Sequence, residues 1–287
     1  MSRIALLANP DSGSGEAQEV EREVRELGAE VEVFSIQDAE RAPESRPDRI
    51  LVAGGDGSLG LAARVAAEAG VPLGVVPVGT ANDFARAFDL PDDPAEAARL
   101  GVEGERRRGV EIGLMSGEEG GGRRPFVNAA SLGLPPEAAQ RAHGLKKLLG
   151  PLAYAVGALR AGVSAKPVSC RVTGGDGEEL YSGEVWQATM ACSGHFGAGS
   201  SVQADPTDGL LDAIVVEAGS RLVLARRAHG LRRGTLEGQS GVHRGRAPSF
   251  GVELDGMTEF NVDGELCARE GTVRFEVAPR RVEVVVG

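Results

Sequence analysis

The sequence predicts an α/β N-terminal domain with a parallel sheet, followed by a C-terminal domain that is an antiparallel β-sandwich. Over residues 1–110, apolar strand-like runs alternate with helical segments, the pattern typical of a parallel sheet covered on both faces. Over residues 111–287, short strand-like runs separated by glycine or Asn/Asp turns take over, as in a sandwich. We therefore expect two domains with these boundaries.

The first domain begins with a strand–helix–strand unit that is then repeated. The helix at 15–28 carries apolar residues at Val20, Val24 and Leu27, the spacing of one helical face. Strands are predicted at 3–8, 30–36, 49–53 and 72–77, and further helices at 58–70 and 81–88. Such a domain binds ligands beyond the carboxyl ends of its strands.

The second domain contains runs such as "PVSCRVTG", "EVWQATMACSG" and "LLDAIVVE", and ends in "RVEVVV". One predicted helix, at 144–162, interrupts them. Lys146 and Lys147 precede its apolar positions, so it could form a lip that contacts a membrane or a helix that packs between the domains. Both interpretations stay open.

Composition and charge narrow the class of protein. The chain has 287 residues, 41% hydrophobic and 25% charged, enough for folded domains with real cores. The apolar runs are too short for a membrane span and the first residues do not resemble a signal peptide, so we expect a cytoplasmic protein. Three separated cysteines suggest reduced thiols rather than disulfides or a zinc cluster.

The net charge of −11 disfavours binding to nucleic acid, so no nucleic-acid partner is expected. One segment differs from this mean: residues 219–247 contain seven arginines and a single acid, Glu237. This segment is either a solvated surface or a patch that meets anionic lipid headgroups.

Three loops with similar chemistry follow strands of the parallel sheet. They read "ANPDSGSG", "GGDGS" and "PVGTAND", and each leads into a predicted helix. Helix N-termini favour anions, glycines allow close backbone approach, and Ser12, Ser14, Ser58 and Thr80 add hydroxyl donors. Each loop alone could be an ordinary turn, and neither "ANPDSGSG" nor "GGDGS" is a Walker A or dinucleotide motif. Together, at one sheet edge, they predict a nucleotide phosphate site.

These motifs, with "PVGTANDFAR" extending the third loop and followed by "FVNAASLG", "DPTDGLLDA" and a late "VDGE", resemble the diacylglycerol kinase catalytic family, particularly its small bacterial lipid kinases. The resemblance spans nearly the whole chain. It implies an ATP-dependent kinase that phosphorylates a lipid hydroxyl such as that of diacylglycerol, in lipid metabolism and phospholipid biosynthesis. It also implies that ATP lies between the domains and that the last strand can return to the first domain.

The resemblance assigns roles to particular residues. Glu265 in "VDGE" would be the general base for the lipid hydroxyl, and Asp56 the second carboxylate; which of the two accepts the proton stays open. Mg²⁺ would accompany the nucleotide, and a metal site would map to Asp205, Asp208 and the backbone of Leu210, in a sequence that is also a good turn. The triphosphate would be held by Asn9, Ser12, Gly13, Gly54, Gly55, Asp56, Gly57, Ser58, Gly79, Thr80 and Asn82.

Several positions depart from the family pattern. Gly60 and Leu61 stand where Asn and Glu are usual, Ala81 replaces a common glycine, and Glu16 and Glu19 follow the first loop in place of a basic residue. An acid near a triphosphate weakens its binding unless metal or Arg86 compensates. A catalytically silent nucleotide- or lipid-binding member is therefore an alternative.

An enzyme similar to NAD kinase is a further alternative, since that superfamily shares the "GGDG" loop. The lipid acceptor implies a peripheral protein at the inner face of the membrane. The identity of the acceptor and the presence of a homodimer stay open.

Overall fold

The computed structural model describes residues 2–8, 15–117, 122–134, 166–193, 195–196, 200–201, 204–220 and 239–287. The first glycine loop and the predicted helix at 144–162 lie outside these residues, as does most of the arginine-rich segment. The chain divides into two compact units. The first comprises Met1–Ile112, Pro125–Val127 and Ala278–Gly287, and the second comprises Gly113–Arg124 and Asn128–Val277.

The first unit is built on a six-stranded sheet with helices packed against it. Strands are numbered in chain order over both units; those of this sheet are β1 (Arg3–Ala8), β2 (Glu30–Phe34), β3 (Arg49–Gly54), β4 (Leu73–Pro77), β5 (Arg107–Val110) and β17 (Val282–Val285). The helices are α1 (Glu16–Glu26), α2 (Asp56–Ala69), α3 (Asp83–Ala87), α4 (Pro94–Glu103) and a 3₁₀ helix, η1 (Ile36–Ser45).

The sheet order is β2-β1-β3-β4-β17-β5, with β1 to β4 mutually parallel. β17 pairs in parallel with β4 and antiparallel with β5, so it is an internal strand of this sheet. Strands β1, β3 and β4 therefore end at the same edge of the sheet, where the second and third loops begin.

Both faces of the sheet are covered by apolar packing. α1 and α4 pack together on one face, through Val20, Val24, Ala97 and Ala98 and the strand residues Ile4, Leu6 and Ala8. The alternate strand residues Ala5, Leu7, Ile50 and Val52 are also fully buried. α2 contacts β3, β4, β17 and η1. These continuous apolar strands have the burial expected of a parallel sheet.

Two helical elements in this unit were not predicted from the sequence. They are η1, which contains Pro43, and α4, where Asp93 caps the helix and Pro94 occupies its first turn. α2 also begins two residues earlier than the predicted start at residue 58, so Asp56 lies in its first turn. This start places the aspartate of "GGDGS" on the helix rather than in the loop.

The second unit is almost entirely antiparallel β structure. Its strands are β6 (Gly113–Gly117), β7 (Arg124–Phe126, of which Arg124 lies in this unit), β8 (Ala129–Gly133), β9 (Val168–Gly174), β10 (Glu179–Ala191), β11 (His195–Phe196), β12 (Ser200–Ser201), β13 (Leu211–Glu217), β14 (Val242–Ala247), β15 (Ser249–Val262) and β16 (Glu265–Val277). All but β11 and β12 join one nine-stranded sheet.

The long strands β10 and β15 each change neighbour along one edge, while the other edge pairs with β13 and β16, respectively. The first part of each pairs with β9 and the second part with β8. A register shift marks the change in each strand, between Val185 and Gln187 in β10 and between Leu254 and Thr258 in β15. Such bulges bend a strand and let one sheet fold over its own core.

The predicted fold class, an α/β domain plus an antiparallel β domain, is confirmed. No helix in the described part of the chain is both long and apolar enough to cross a membrane.

Candidate functional site

The second glycine loop joins β3 to α2 at the carboxyl edge of the parallel sheet. Gly54 ends β3, Gly55 is the N-cap of α2 in an extended conformation, and Ser58 lies in the first turn of the helix. The Gly55 carbonyl accepts a hydrogen bond from the Ser58 N–H at 3.0 Å. The loop thus presents the N-terminus of a 14-residue helix, a position that favours an anion.

The third loop packs backbone against backbone on the second. A Cβ atom at Gly79 would lie 2.5 Å from the Cα of Gly55, and one at Gly55 would lie 3.2 Å from the Cα of Gly79. A side chain at position 79 would therefore force the loops apart. Because both loops keep bare backbone at this edge, a phosphate group could approach their N–H groups closely.

Asn82 closes the third loop on itself. It adopts a left-handed conformation with φ 50°, and its side-chain amide accepts a hydrogen bond from the Gly79 N–H and donates one to the Gly79 carbonyl, both at 3.1 Å. Its side chain makes no capping bond to α3. Thr80, between these residues, is exposed, so its hydroxyl is available at the surface of the loop.

Asp56, in the first turn of α2, links the second loop to the third. Its side chain is almost completely buried, and its two carboxylate oxygens accept hydrogen bonds from different backbone groups: Oδ2 from the N–H of Asp83 at 3.1 Å and Oδ1 from the N–H of Phe84 at 3.0 Å. Asp56 therefore caps the N-terminus of α3 across 27 residues of sequence. The carboxylate determines how the third loop is held against α2.

The neighbouring charge, Arg86, is already paired. It forms an ion pair with the buried Asp83 one turn earlier in α3. The sequence suggested Arg86 as compensation for the acids near the first loop, and this ion pair engages its guanidinium with Asp83 instead. The predicted residues Asn9, Ser12 and Gly13 of the first loop lie outside the described residues.

Gly60, one of the departures from the family pattern, has a packing reason. A Cβ at this position would lie 2.4 Å from the carbonyl oxygen of Pro125, in the segment Pro125–Val127 that belongs to the same unit. Any larger residue would displace either α2 or this segment. The glycine is therefore a requirement of the fold in this chain.

In the second unit, Glu265 follows a tight turn that is fixed from two sides. The turn residues Asp263 and Gly264 have φ values of 48° and 92°. Asp263 Oδ1 accepts the N–H groups of Asn128 at 3.0 Å and Ala129 at 2.9 Å, and Asn261 Oδ1 accepts the N–H of Gly264 at 2.8 Å. These bonds hold the backbone that carries Glu265.

The carboxylate of Glu265 is exposed and paired with one cation. Its Oε2 atom accepts a hydrogen bond from Arg124 on β7, while 58% of its side chain stays accessible. Arg124 also contacts Cys267, two residues along β16, whose thiol pKa is raised by burial. Sequence reasoning did not identify Arg124, Asn128 or Asp263; the Asn of "FVNAASLG" and the Asp of "VDGE" were visible signals.

The segment predicted to hold a metal is a pair of side-chain-capped turns. Asp205 Oδ1 accepts hydrogen bonds from the Thr207 N–H at 3.0 Å and hydroxyl at 2.6 Å, and Asp208 Oδ1 accepts the N–H of Leu210 at 3.0 Å. The other oxygen of Asp208 pairs with Arg246 on β14. Both aspartates line an open cavity of ≈ 660 Å³, together with Ala204, Arg244 and Arg246.

This donor set fits a divalent cation poorly. The described residues contain no group of three or more His, Cys, Asp or Glu side chains placed to hold a metal. Oδ2 of Asp208 already has a positively charged partner in Arg246. The metal assignment for Asp205, Asp208 and Leu210 stays a prediction.

Two protein families match the chain. Residues 3–114 match the family described as "Diacylglycerol kinase catalytic domain", and residues 128–286 match the "YegS C-terminal NAD kinase beta sandwich-like domain". The second match alone covers more than half of the chain, and the two together span both structural units.

Curated relatives are similar over nearly their whole length. A diacylglycerol kinase of Staphylococcus saprophyticus is 28% identical over 279 residues, which cover 92% of this chain and 88% of the relative. A diacylglycerol kinase of Mycobacterium tuberculosis is also 28% identical, with 92% and 89% covered. A "Probable lipid kinase YegS-like" protein of Stenotrophomonas maltophilia is 30% identical over 297 residues, with 97% and 94% covered.

Solved structures show the same fold. A diacylglycerol kinase from Bacillus anthracis superposes with a TM-score of 0.76 at 21% identity, covering 100% of this chain and 97% of that one. An NAD kinase from Archaeoglobus fulgidus, solved in complex with ATP, gives a TM-score of 0.57 at 14% identity, covering 99% and 93%. The chain is thus a kinase, and it belongs to the diacylglycerol kinase and YegS-like family of lipid kinases.

Proposed function

We propose that this protein transfers the γ-phosphate of ATP to the hydroxyl of a membrane lipid with a diacylglycerol-like acceptor group. The observation that carries the proposal is the backbone contact between Gly55 and Gly79, fixed by Asp56 at the N-terminus of α2. This arrangement offers N–H groups and a helix N-terminus to phosphate, with no side chain in the way.

ATP, when bound, supplies the phosphoryl group, and Mg²⁺ enters with it because nucleotide phosphates provide much of the coordination that this ion needs. In our proposal Gly54–Ser58, Gly79 and Thr80 hold the phosphates. Asn9, Ser12 and Gly13 of the first loop are proposed to complete the site. Phosphoryl transfer asks the protein mainly for positioning and charge neutralisation, tasks suited to fixed backbone donors.

Glu265 rather than Asp56 is the proposed general base. Asp56 is buried and both of its oxygens accept backbone N–H groups, so it has a structural task already. Glu265 is exposed, and among the described residues only its Oε2 has a hydrogen-bond partner, Arg124. Oε1 would accept the proton of the lipid hydroxyl while the hydroxyl oxygen bonds to the γ-phosphorus of ATP and the bond from that phosphorus to the β–γ bridging oxygen breaks, releasing ADP.

The lipid acceptor requires contact with a membrane. We propose a peripheral enzyme that works in the cytoplasm at the inner face of the membrane and contributes to phospholipid biosynthesis. The class of acceptor supports this: the hydroxyl of a diacylglycerol-like lipid lies at the bilayer interface, where a protein bound to the surface can reach it.

The test is transfer of labelled γ-phosphate from ATP into an extracted membrane-lipid mixture, with wild type, Glu265→Gln and Asp93→Asn compared. Asp93 caps α4, belongs to none of the three loops, and serves as the matched acid-to-amide control. A labelled lipid that disappears in Glu265→Gln and persists in Asp93→Asn would support the proposal, and its chromatographic mobility would identify the acceptor class.

A parallel reaction contains NAD in place of lipid. Labelled NADP with no labelled lipid would replace the proposal with an activity like that of NAD kinase. Nucleotide binding without transfer to either acceptor would favour a silent family member.

A further inference from the structure

Four charged side chains meet beside the segment that carries Asp205, Asp208 and Leu210. Strands β13 and β14 pair so that Asp212 lies directly opposite Arg246 and Ile214 opposite Arg244. The four side chains are Asp208, Asp212, Arg244 and Arg246.

Both arginines contact the same buried carboxylate oxygen. Arg244 donates to Asp212 Oδ1 from Nε at 3.0 Å and from Nη2 at 2.5 Å. Arg246 Nε lies 3.4 Å from the same oxygen, and its Nη2 pairs with Asp208 Oδ2. Arg246 therefore bridges an aspartate at the mouth of the cavity and one beneath it.

Burial explains why this network needs its cations. Asp212 is completely inaccessible to solvent, and a buried carboxylate is strongly unfavourable without a positive partner. Arginine suits this task because its planar, always-charged guanidinium can contact two carboxylates at once. Within these four side chains, the charges of the two aspartates balance those of the two arginines.

A divalent cation at Asp208 would have to displace the guanidinium of Arg246 or bind beside its positive charge. Mg²⁺ requires several oxygen ligands in a near-octahedral arrangement. Oδ2 of Asp208 pairs with Arg246, so a metal bound to that oxygen would compete with the guanidinium, while Oδ1 accepts the Leu210 N–H. Asp205 likewise directs Oδ1 at Thr207.

We propose that Arg246 takes the place of a divalent cation in this segment, so that the turn at 205–210 and the strand pair β13–β14 are held by a guanidinium built into the chain. The segment then binds no metal of its own. Any divalent ion that the kinase uses would be the one that arrives with the nucleotide.

The experiment measures metal binding in the purified full chain without nucleotide, with Mn²⁺ as the probe and its free signal followed by electron paramagnetic resonance. The variants are Arg246→Met, Asp208→Asn and the control Arg171→Met, which removes an arginine of β9 that pairs with one exposed acid on β10 and one on β15. We expect wild type, Asp208→Asn and Arg171→Met to bind no Mn²⁺ in the millimolar range. Arg246→Met should gain one site per chain, and the added change Asp208→Asn should remove it.

Thermal unfolding gives a second, independent measurement. We expect the midpoint of wild type to be the same in Mg²⁺ and in EDTA, whereas Arg246→Met should unfold at a lower temperature and recover part of the loss in Mg²⁺. Arg246→Lys, which keeps a positive charge, should behave like wild type in the Mn²⁺ titration.

Either of two results would overturn the proposal. One is a wild-type chain that binds one Mn²⁺ and loses it in Asp208→Asn, since the segment would then hold a metal beside Arg246. The other is an Arg246→Met chain that folds and gains no site, since position 246 would then not stand in for a cation. If Arg246→Met does not fold, the wild-type and Asp208→Asn titrations still decide between a metal and no metal.

Discussion

Replacing Asp56 by asparagine separates the structural task of this residue from its chemistry. The carboxylate uses one oxygen for the Asp83 N–H and the other for the Phe84 N–H, at 3.1 and 3.0 Å. Asparagine keeps the size of the side chain but only one of the two acceptors. Its NH₂ group would face a backbone N–H, so one buried donor at the start of α3 would lose its partner.

The cost can be estimated from this single lost bond. Removing the partner of a hydrogen bond to a charged group, with the buried donor left unpaired, costs about 1.5–3 kcal/mol. At roughly 3–5 °C per kcal/mol for a domain of this size, the unfolding midpoint should fall by about 5–15 °C. The matched control is Asp93→Asn, because Asp93 accepts both of its N–H groups, of Ala95 and Glu96, on the one oxygen Oδ1. Asparagine supplies that oxygen, so this variant should lose little stability.

The assay is thermal unfolding in the absence of nucleotide, followed by circular dichroism at 222 nm. Among the described residues, the α-helices that contribute to this signal, α1 to α4, all lie in the first unit, while the chain's one tryptophan, the buried Trp186, reports on the second. The helical transition should move in Asp56→Asn. An Asp56→Asn midpoint that coincides with those of wild type and Asp93→Asn would refute the argument that both oxygens are needed.

Three further predictions concern the rest of the site and the cores. Glu265→Gln should lower kcat by about 10²–10⁴-fold without changing the KM for nucleotide, since only a base is lost. Gly60→Ala should lower the free energy of unfolding, measured in urea, by about 1–3 kcal/mol, because the new methyl group would collide with the Pro125 carbonyl. An unchanged urea midpoint would show that the segment Pro125–Val127 moves aside at no cost. Burial raises the pKa of Cys170 to about 11, so at pH 8 about one Cys170 thiol in a thousand is ionised. Alkylation of Cys170 in the native protein should therefore be slow at pH 8 and become faster as the pH approaches 11. Rapid labelling of Cys170 at pH 8 would contradict its burial.

The sequence predicts those parts of the fold that depend on local patterns. The alternation of apolar runs with helical segments located β1 to β4, and the glycine loops between strands and helices predicted a phosphate-binding edge. α4 was missed although its signals are local: Asp93 accepts two helix N–H groups and Pro94 sits in the first turn. η1 is harder to predict, because a 3₁₀ helix, here ten residues long and containing Pro43, lacks the 3.6-residue apolar spacing.

The interactions that position the site could not be predicted because they join distant parts of the chain. Asp263 contacts the N–H of Asn128 over 135 residues, and Arg124 contacts Glu265 over 141. From the sequence, Gly60 is a departure from the family pattern, whereas in the structure the backbone of Pro125 leaves no room for a side chain at this position. Each of these depends on which segments the fold brings together, which a local pattern does not contain.

The internal position of β17 sets a condition on how the protein is made. Synthesis on the ribosome delivers β4 and β5 early, but the strand that joins them, Val282–Val285, emerges only after nearly all of the second unit. Until then two neighbouring strands have edges without partners, which are prone to pair with other chains. The second unit can complete its folding while the first, whose residues come first, still waits. The loops that we propose bind phosphate are thus part of a sheet that closes late, so a nascent chain has no finished site at this sheet edge until Val282–Val285 has been made.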